Sequence, residues 1–211
     1  MANKNWTGNE QSTFSTLGAS SHSKDERQTH DYYATDPYAV DILFEDELFN
    51  PSIDKSTGIS IWKNIWECAC GEGHLSKRMK DLFRVDVYSS DIVDRGYGDV
   101  KDFLCPTNQK WDGCIITNPP YKYAKEFVQK SLDIIPDGKW VAMFLKLQFL
   151  EGKARKQLFR VAPPRFIYVS SSRIKCGKNG DFYAIKSSAV AYAWFIWQKG
   201  FKGNPQIKWF N

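Results

Sequence analysis

Short apolar runs alternate with amphipathic segments along most of this chain, and the alternation restricts the folds that it can form. A short apolar run bounded by turn residues predicts a buried strand, and apolar residues at helical spacing predict a helix. Strands are predicted at 61–69, 85–91, 113–117, 139–150, 165–170 and 189–197. Helices are predicted at 36–49, 70–83, 123–135 and 153–159. This order predicts an α/β fold with a mostly parallel, doubly wound sheet, whose last two strands have no helix between them and pair antiparallel.

The length and composition of the chain suit one folded domain with its own core, since it has 211 residues and is 42% hydrophobic. Residues 1–30 are rich in polar and charged side chains, so we predict a flexible arm there. An arm that orders over a bound ligand is the alternative. Residues 31–211 are predicted to form the single domain. The net charge of +5 is compatible with a polyanionic partner such as nucleic acid.

The five cysteines are odd in number and scattered, and the three histidines do not cluster with them. This pattern favours reduced thiols, and Cys68 and Cys70 lack the usual spacing of zinc ligands. We therefore expect a cytoplasmic protein without a bound metal. The chain has no apolar run of membrane-spanning length and no signal-peptide core at its polar N-terminus, so we expect no membrane association.

A glycine-rich turn, ECACGEG (67–73), follows the first predicted strand. Ligands of open α/β sheets bind beyond the carboxyl ends of the strands. Gly71 and Gly73 allow a sharp turn and a close approach of the backbone to a ligand. The third glycine of the dinucleotide fingerprint is absent, and Glu67 and Glu72 would repel a pyrophosphate. A carboxylate at Glu67 suits a ligand that carries an amine.

Acidic residues follow the next strands along the chain. Asp91 is placed to accept hydrogen bonds from both hydroxyls of a ribose, with Ile92 beside it to pack on an adenine face. Asp102, next to Phe103, is placed to bind the exocyclic amine of that adenine. A ligand with an amino acid part, a ribose and an adenine, but no pyrophosphate, fits S-adenosylmethionine. Each signal has a structural alternative, since Gly-x-Gly turns are common and Asp91 could serve merely as a helix cap. The order of these motifs at successive strand ends favours the ligand.

The stretch CIITNPPY (114–121) ends a buried strand with an amide, two prolines and an aromatic ring. Pro119 holds Asn118 extended, and because prolines lack an N–H we expect neither proline carbonyl to be used in a local turn. The Asn118 side-chain oxygen and the Pro119 carbonyl would then hold both hydrogens of a ring amine and turn its lone pair toward an electrophile. Tyr121 offers a stacking face for a base flipped out of a duplex. The alternative is a proline-rich turn with a core tyrosine.

With these motifs the chain resembles the adenine-N6 DNA methyltransferases whose cofactor motifs precede Asn-Pro-Pro-Tyr. DYYATDPYAV (31–40) resembles their N-terminal cofactor segment, ECACGEG their glycine motif with Cys68 where proline is frequent, and Asp91 and Asp102-Phe103 their ribose and adenine positions. The C-terminal RFIYVSSSRIKC and AYAWFIWQKGFKGNPQIKW, together with GAS-x-HS (18–23), resemble small phage or prophage members.

The resemblance implies a Rossmann-like S-adenosylmethionine-dependent methyltransferase fold, with a seven-stranded sheet and an antiparallel last strand. It implies that residues 31–211 form the catalytic domain, that S-adenosylmethionine donates the methyl group, and that a flipped adenine of DNA accepts it. The implied catalytic residues are Asn118, Pro119, Pro120 and Tyr121, with Phe182 or Tyr183 stacking on the other face of the base. The implied cofactor-binding residues are Tyr33, Thr35, Pro37, Glu67, Ala69, Gly71, Gly73, Asp91, Ile92, Asp102, Phe103 and Asn118, of which Glu67 and Thr35 would bind the methionine part.

The chain departs from most site-specific members because no separate target-recognition domain is visible in it. DNA contacts would then fall to Tyr121 and Lys122, to a basic loop, to the basic helix at 153–160 and to the N-terminal arm. The loop residues are Arg173, Lys175 and Lys178. A short or relaxed recognition sequence is the resulting hypothesis, and for any single lysine a solvated surface remains the alternative.

Other functions stay open at this point. Asn-Pro-Pro-Tyr also serves methyltransferases of ribosomal RNA and of a glutamine amide, although the glutamine enzymes usually carry an N-terminal helical domain. Cytosine-N4 enzymes more often begin the motif with serine. A different class is a catalytically idle DNA-binding or anti-restriction protein that keeps the fold. The sequence determines neither the recognition site nor the oligomeric state.

Overall fold

The computed structural model describes residues 34–45, 62, 64–83, 86–172, 174, 176–177 and 190–210. The predicted arm and several predicted site residues lie outside them, so the expectations for these stay predictions. These site residues are Tyr33, Arg173, Lys175, Lys178, Phe182 and Tyr183.

The strands and helices alternate as predicted. The strands are β1 (Ala34–Thr35), β2 (Ile65–Glu67), β3 (Val87–Asp91), β4 (Asp99–Val100), β5 (Cys114–Thr117), β6 (Trp140–Lys146), β7 (Phe166–Ser170), β8 (Cys176–Gly177), β9 (Tyr192–Gln198) and β10 (Gln206–Phe210). The helices are α1 (Tyr38–Glu45), α2 (His74–Phe83), α3 (Ala124–Ile134) and α4 (Lys153–Val161). Short 3-10 turns follow β5 and β6, at Tyr121–Tyr123 and Leu147–Leu150.

The main sheet has eight strands in the order β10-β7-β9-β6-β5-β2-β3-β4. β9 is antiparallel to both β6 and β7, and the other pairs in this sheet are parallel. The mostly parallel sheet and the antiparallel pairing of β7 with β9 are confirmed. The sheet has one strand more than predicted, and the antiparallel strand is the last but one. Two strands of this sheet, β4 and β10, lie outside the six predicted ranges, and β10 pairs parallel with β7 after a glycine–proline turn.

A second, two-stranded sheet joins distant parts of the chain. β1 pairs antiparallel with β8, with Ala34 opposite Gly177 and Thr35 opposite Cys176. Neither strand was predicted, because two-residue strands carry no periodicity. Their pairing fastens the segment before α1 to the segment that follows β7.

Two predicted strands are shorter in the structure. β2 begins only at Ile65, because Asn64 before it has a positive φ of 52° and is not extended. The apolar run 139–150 ends its strand at Lys146 and continues as a 3-10 turn. This turn carries the chain away from the sheet edge toward α4.

Side chains on both faces of the sheet form the core. One face is covered by α1 and α2 and includes Trp62, Phe144 and Trp194; the other is covered by α3 and α4 and includes Trp66 and Phe195. Trp194 is fully buried on β9, and its indole N–H donates to the carbonyl of Ala39 in α1 at 2.6 Å. In the described part of the chain, no helix has both the length and the apolarity needed to cross a membrane.

The start of α1 is set by its local sequence. The Asp36 carboxylate accepts the Tyr38 N–H at 3.0 Å, and Pro37 directly precedes the helix, where its missing N–H costs nothing. Asp41 of α1 forms two hydrogen bonds of 2.8 Å with the Arg78 guanidinium of α2. These contacts set the start of α1 and fix this helix against α2.

Trp194→Phe removes the N–H that the buried Ala39 carbonyl uses and leaves a small cavity. We expect the free energy of unfolding to fall by about 3 kcal/mol, measured by urea denaturation. Trp209→Phe is the matched control, because Trp209 is 70% exposed on β10; its effect should stay within about 0.5 kcal/mol. Equal losses in the two variants would contradict the anchoring role of Trp194.

Candidate active site

Four parallel strands end side by side at one edge of the sheet. β2 lies between β3 and β5, and β5 pairs with β6, so all four have their carboxyl ends at the same edge. The residues at these ends are Glu67, Asp91, Asn118 and Lys146. The structure therefore brings the predicted acidic residues and the Asn-Pro-Pro-Tyr segment to one edge, the place where ligands of such sheets bind.

The glycine turn after β2 has a conformation that only glycine adopts easily. Gly71 and Gly73 have positive φ values of 54° and 79°. The Tyr97 ring packs directly on Gly73, so a Cβ there would lie 2.3 Å from a ring carbon. The sequence did not reveal Tyr97, which comes from the loop between β3 and β4. Ala69 in the same turn is half-buried.

Asp91 ties this turn to the end of β3. One carboxylate oxygen accepts the Gly71 N–H at 2.9 Å, and the other accepts the Val93 N–H at 3.0 Å. The Arg95 guanidinium lies 3.9 Å away. A carboxylate has about four lone-pair positions, so these bonds leave capacity for further donors. Ile92 beside it is 55% exposed and presents an apolar surface at the same edge.

Glu67 is buried and linked to two serines. The Ser76 hydroxyl donates to Glu67 Oε2 and lies 2.7 Å from the Ser89 hydroxyl oxygen. Glu67 is 2% exposed, and this burial raises the pKa of its carboxyl group from 4.5 to about 8, against the opposing effect of the Ser76 hydrogen bond. The side chain is therefore mainly protonated at neutral pH. The sequence did not indicate that this carboxyl group is buried.

The side chains of Asp102 and Phe103 point to different environments, solvent for Asp102 and the core for Phe103. Asp102 is exposed, and its carboxylate accepts the Leu104 N–H at 2.9 Å. Phe103 is buried, with its ring 5.1 Å from Trp66 and 4.9 Å from Phe127 between centroids. The Phe103 ring thus belongs to the core packing beneath this part of the edge.

Asn118 is held by a residue far away in the sequence. Its side-chain Nδ2 donates to the Thr35 hydroxyl at 2.6 Å. Thr35 is 3% exposed, and its backbone is fixed in β1. The bond orients the amide so that Nδ2 faces Thr35 and Oδ1 is the end that accepts hydrogen bonds. Pro37, half-buried, directly precedes α1.

The two prolines after Asn118 behave differently from each other. The Pro120 carbonyl accepts the Tyr123 N–H at 2.9 Å in the 3-10 turn. The expectation that neither proline carbonyl is used in a local turn is therefore wrong for Pro120, because the chain turns into α3 at once. Pro119 is buried, and its carbonyl accepts no backbone hydrogen bond from a described residue.

Tyr121 is half-buried between two side chains that the sequence did not single out. The Lys146 ammonium lies 4.8 Å from the centroid of its ring, and the Tyr192 ring lies 5.9 Å away. Lys146 is the last residue of β6 and interrupts a long apolar run, which was the available signal. A cation over an aromatic face is attracted by the ring quadrupole. A base that stacks on Tyr121 has to share the ring with Lys146.

The predicted DNA-binding residues are only partly described. Lys122 is exposed, with its ammonium 5.1 Å from the centroid of the Tyr123 ring. α4 begins just beyond the carboxyl end of β6, so its first turns, with Lys153 and Lys156, lie toward the same edge. Within the described ranges, no group of three or more His, Cys, Asp or Glu side chains is arranged to hold a metal ion.

The comparisons with known proteins address the fold. Neither a protein-family model nor a curated protein matches the chain. A protein from Listeria monocytogenes described as a class I S-adenosylmethionine-dependent methyltransferase aligns over 89% of this chain and 68% of its own, with TM-score 0.59 and 12% identity. The methyltransferase subunit of a type I restriction-modification system from Streptococcus thermophilus aligns over 85% of this chain and 47% of its own, with TM-score 0.60 and 14% identity.

A predicted O-methyltransferase from Agrobacterium tumefaciens aligns over 82% of this chain and 85% of its own, with TM-score 0.55 and 13% identity. This chain thus spans about half the length of the Streptococcus subunit, with 47% of it aligned. At such identities the likeness shows the fold alone. The predicted Rossmann-like fold of the S-adenosylmethionine-dependent methyltransferases is confirmed.

Glu67→Gln tests the buried carboxyl group. Because the folded-state pKa is raised, the folded protein binds more protons than the unfolded chain between pH 4.5 and about 8, and stability falls as pH rises through this window. The variant cannot titrate at this position. We therefore expect its free energy of unfolding to rise relative to that of the wild type by roughly 1 kcal/mol per pH unit. The free energy of unfolding would be measured from pH 5.5 to 7.5, a range within that window. Glu126→Gln, on the exposed surface of α3, is the control. If the pH profiles of the free energy of unfolding of Glu67→Gln and the wild type run parallel, Glu67 is ionised in the folded protein, which contradicts the prediction.

Proposed function

We propose that this protein binds S-adenosylmethionine at the carboxyl edge of the sheet and transfers its methyl group to the N6 amine of adenine in DNA. One observation carries the proposal. Asn118-Pro119-Pro120-Tyr121 stands at the end of β5 with its amide held by Thr35, at the edge where the Gly71 turn and Asp91 end the neighbouring strands. Acceptors for an amine and a surface for a nucleoside thus share one edge.

The residues at the edge fit the proposed cofactor. Asp91 keeps lone-pair capacity for ribose hydroxyls, and the exposed face of Ile92 suits an adenine ring. Asp102 is exposed and available for the adenine amine, while Phe103 supports this region through core packing. The Listeria and Streptococcus proteins share the fold and are methyltransferases by description, which supports the choice. When bound, the cofactor supplies an electrophilic methyl group.

The glycine turn and the residues near α1 complete this surface. Gly71 and Gly73 bring backbone close to the ligand, with Ala69 beside them. Thr35, Pro37 and Tyr33 come from the segment that precedes α1, and we assign them and Glu67 to the methionine part. A protonated Glu67 can still hydrogen-bond an amine, and a cationic ligand favours its ionisation.

The Asn-Pro-Pro-Tyr segment acts on the amine that receives the methyl group. Asn118 Oδ1 and the Pro119 carbonyl accept its two hydrogens, which draws the nitrogen lone pair out of the ring system toward the donor. Both acceptors are fixed before the reaction, Asn118 by Thr35 and Pro119 by its burial and ring. Pro120 sets the turn into α3, and Tyr121 stacks on the base.

The charge around this edge supports a nucleic acid as the substrate. Lys146 places a cation on the Tyr121 ring, Lys122 is the next residue in the chain, and the chain has a net charge of +5. The Streptococcus neighbour belongs to a restriction-modification system. Arg173, Lys175 and Lys178 would add to this surface, and a short or relaxed recognition sequence follows if no further reading element exists. RNA carries the same amine and is the alternative that the experiment must separate.

Asn118→Ala removes one of the two amine acceptors. We expect methyl transfer to fall at least about a hundredfold while S-adenosylhomocysteine still binds. Transfer of labelled methyl groups to DNA or RNA and calorimetric titration of S-adenosylhomocysteine give the two readouts. Asn108→Ala, an exposed asparagine in the loop before β5, is the matched control.

An Asn118→Ala variant that stays active would refute the catalytic assignment. Transfer to RNA but not to DNA would favour the RNA alternative. DNA binding by the wild type without any methyl transfer would favour the idle binding protein.

Lys146→Met tests the nucleic-acid contact near Tyr121. If the Lys146 ammonium neutralises a phosphate, the variant should bind DNA more weakly, and the slope of log affinity against log salt should shrink by about 1. Lys139→Met is the control at the opposite, amino end of β6 and should leave the slope unchanged. Fluorescence anisotropy of labelled DNA over a series of salt concentrations gives both slopes. An unchanged slope in Lys146→Met would show that the lysine only packs on Tyr121.

A further inference from the structure

Tyr97 lies in the loop between β3 and β4, between two glycines that allow the chain to fold back. Gly96 and Gly98 have positive φ values of 75° and 73°. A Cβ on Gly98 would lie 2.6 Å from the carbonyl oxygen of Ser89, so this glycine also allows a close approach to β3. The loop thus returns along β3 and brings the half-buried Tyr97 ring onto the glycine turn that follows β2.

The Tyr97 ring covers the last glycine of that turn. A Cβ at Gly73 would lie 2.3 Å from a ring carbon, so the ring packs directly on the backbone of this residue. The Cys70 thiol donates to the Tyr97 carbonyl at 3.5 Å, which gives the turn and the loop a second contact. Because Gly73 has no side chain, a flat ring can pack against its backbone, and this packing holds the turn against the loop.

Two lysines of α2 hold the ring in this place. The Lys77 and Lys80 ammonium groups lie 4.9 Å and 5.6 Å from the ring centroid, and Lys80 donates to the Tyr97 hydroxyl at 3.3 Å. Lys77 also donates to the carbonyl of Glu72, which lies between the two glycines of the turn, at 3.0 Å. Cations are attracted to the face of an aromatic ring. The ring, the turn and the beginning of α2 are therefore joined by the same contacts.

Asp91 links the same turn and loop at another point. Its carboxylate accepts the Gly71 N–H of the turn and the Val93 N–H of the loop. The turn is thus bonded to the loop region through Gly71 and packed on it through Gly73. Neither contact belongs to a helix or to a strand ladder, so the left-handed conformation of these glycines depends on the loop. A turn that already has its binding conformation costs less to order when a ligand binds.

We propose that Tyr97 is a positioning residue for S-adenosylmethionine, and that its ring keeps the glycine turn in the conformation that receives the ligand. Tyr97 acts through Gly73 and does not itself contact the cofactor. The proposal rests on one part of the proposed function, the binding of the cofactor at this edge, and does not depend on the methyl acceptor. Loss of the ring therefore weakens cofactor binding and leaves the amine acceptors at the end of β5 unchanged.

Tyr97→Ala removes the ring, and Tyr97→Phe keeps the ring without its hydroxyl. We expect Tyr97→Ala to bind S-adenosylhomocysteine at least about tenfold more weakly than the wild type, because the ligand must then order the turn. Tyr97→Phe should bind it nearly as tightly as the wild type. Tyr123→Ala is the matched control, since Tyr123 is an exposed tyrosine with the Lys122 ammonium 5.1 Å from its ring centroid. Calorimetric titration gives the affinities.

Two further readouts separate positioning from a general loss of structure. Hydrogen exchange of the turn amides at 70–74 should be faster in ligand-free Tyr97→Ala than in the wild type, and saturating S-adenosylhomocysteine should restore the protection. In methyl transfer to plasmid DNA, Tyr97→Ala should raise KM for S-adenosylmethionine about tenfold and leave kcat close to the wild-type value. A general loss of structure would instead speed exchange throughout the sheet and lower kcat.

A second variant tests the same contacts with the ring in place, in case Tyr97→Ala folds poorly. This variant combines Lys77→Met with Lys80→Met. The probe is 5′-methylthioadenosine, because it carries no net charge and is not directly affected by the loss of two cations. Its affinity should fall about threefold, and hydrogen exchange in the turn should be faster than in the wild type.

Wild-type affinity in Tyr97→Ala would overturn the proposal, as would equal losses in Tyr97→Ala and Tyr97→Phe. Unchanged affinity and exchange in the double lysine variant would also overturn it, and so would a kcat that falls as far as the affinity. Failure of the proposed function looks different. In that case wild-type protein binds S-adenosylhomocysteine and leaves adenine in DNA unmethylated, and the binding and exchange data still decide the role of Tyr97.

Discussion

The parallel pairing of β2 with β3 and with β5 is the constraint on which the site depends. It aligns three strand ends that are far apart in the sequence and places Glu67, Asp91 and Asn118 at one edge. The backbone of Gly71 then bonds to Asp91, so the turn after β2 is set by the end of β3. A ligand that touches both elements meets a surface that is already ordered, which lowers the cost of binding.

This edge contains buried polar groups that a stable core would avoid. Glu67, Thr35 and Ser76 are all nearly inaccessible to solvent, and each has a hydrogen-bond partner. Burying such groups is unfavourable unless they are paired. Glu67 is paired with Ser76, and Thr35 is paired with Asn118. The raised pKa of Glu67 removes the cost of a buried charge at neutral pH. Buried polar groups with a shifted pKa are typical of ligand-binding and catalytic sites.

Much of this was predictable from the sequence, because alternation and strand-end motifs are local signals. The mostly parallel sheet and the positions of Asp91 and Asn118 at strand ends follow from them. The β1–β8 pairing and the contact of Lys146 with Tyr121 were not predictable, since they join residues distant in sequence without any periodic pattern. β10 was missed because most of its residues are exposed, so no buried apolar run indicates the strand. The packing of Phe103 against Trp66 was also not predictable, because it depends on the loop conformation after β4.

In the proposed reaction, the adenine amine lies between the two acceptors of Asn118 and Pro119 on one side and the methyl donor on the other. The most direct measurement is mass spectrometry of the nucleosides from unmethylated DNA after incubation with the protein and isotope-labelled S-adenosylmethionine. The account predicts labelled N6-methyl-2′-deoxyadenosine as the product. DNA that carries no labelled methyl group, or carries it on cytosine, would contradict it.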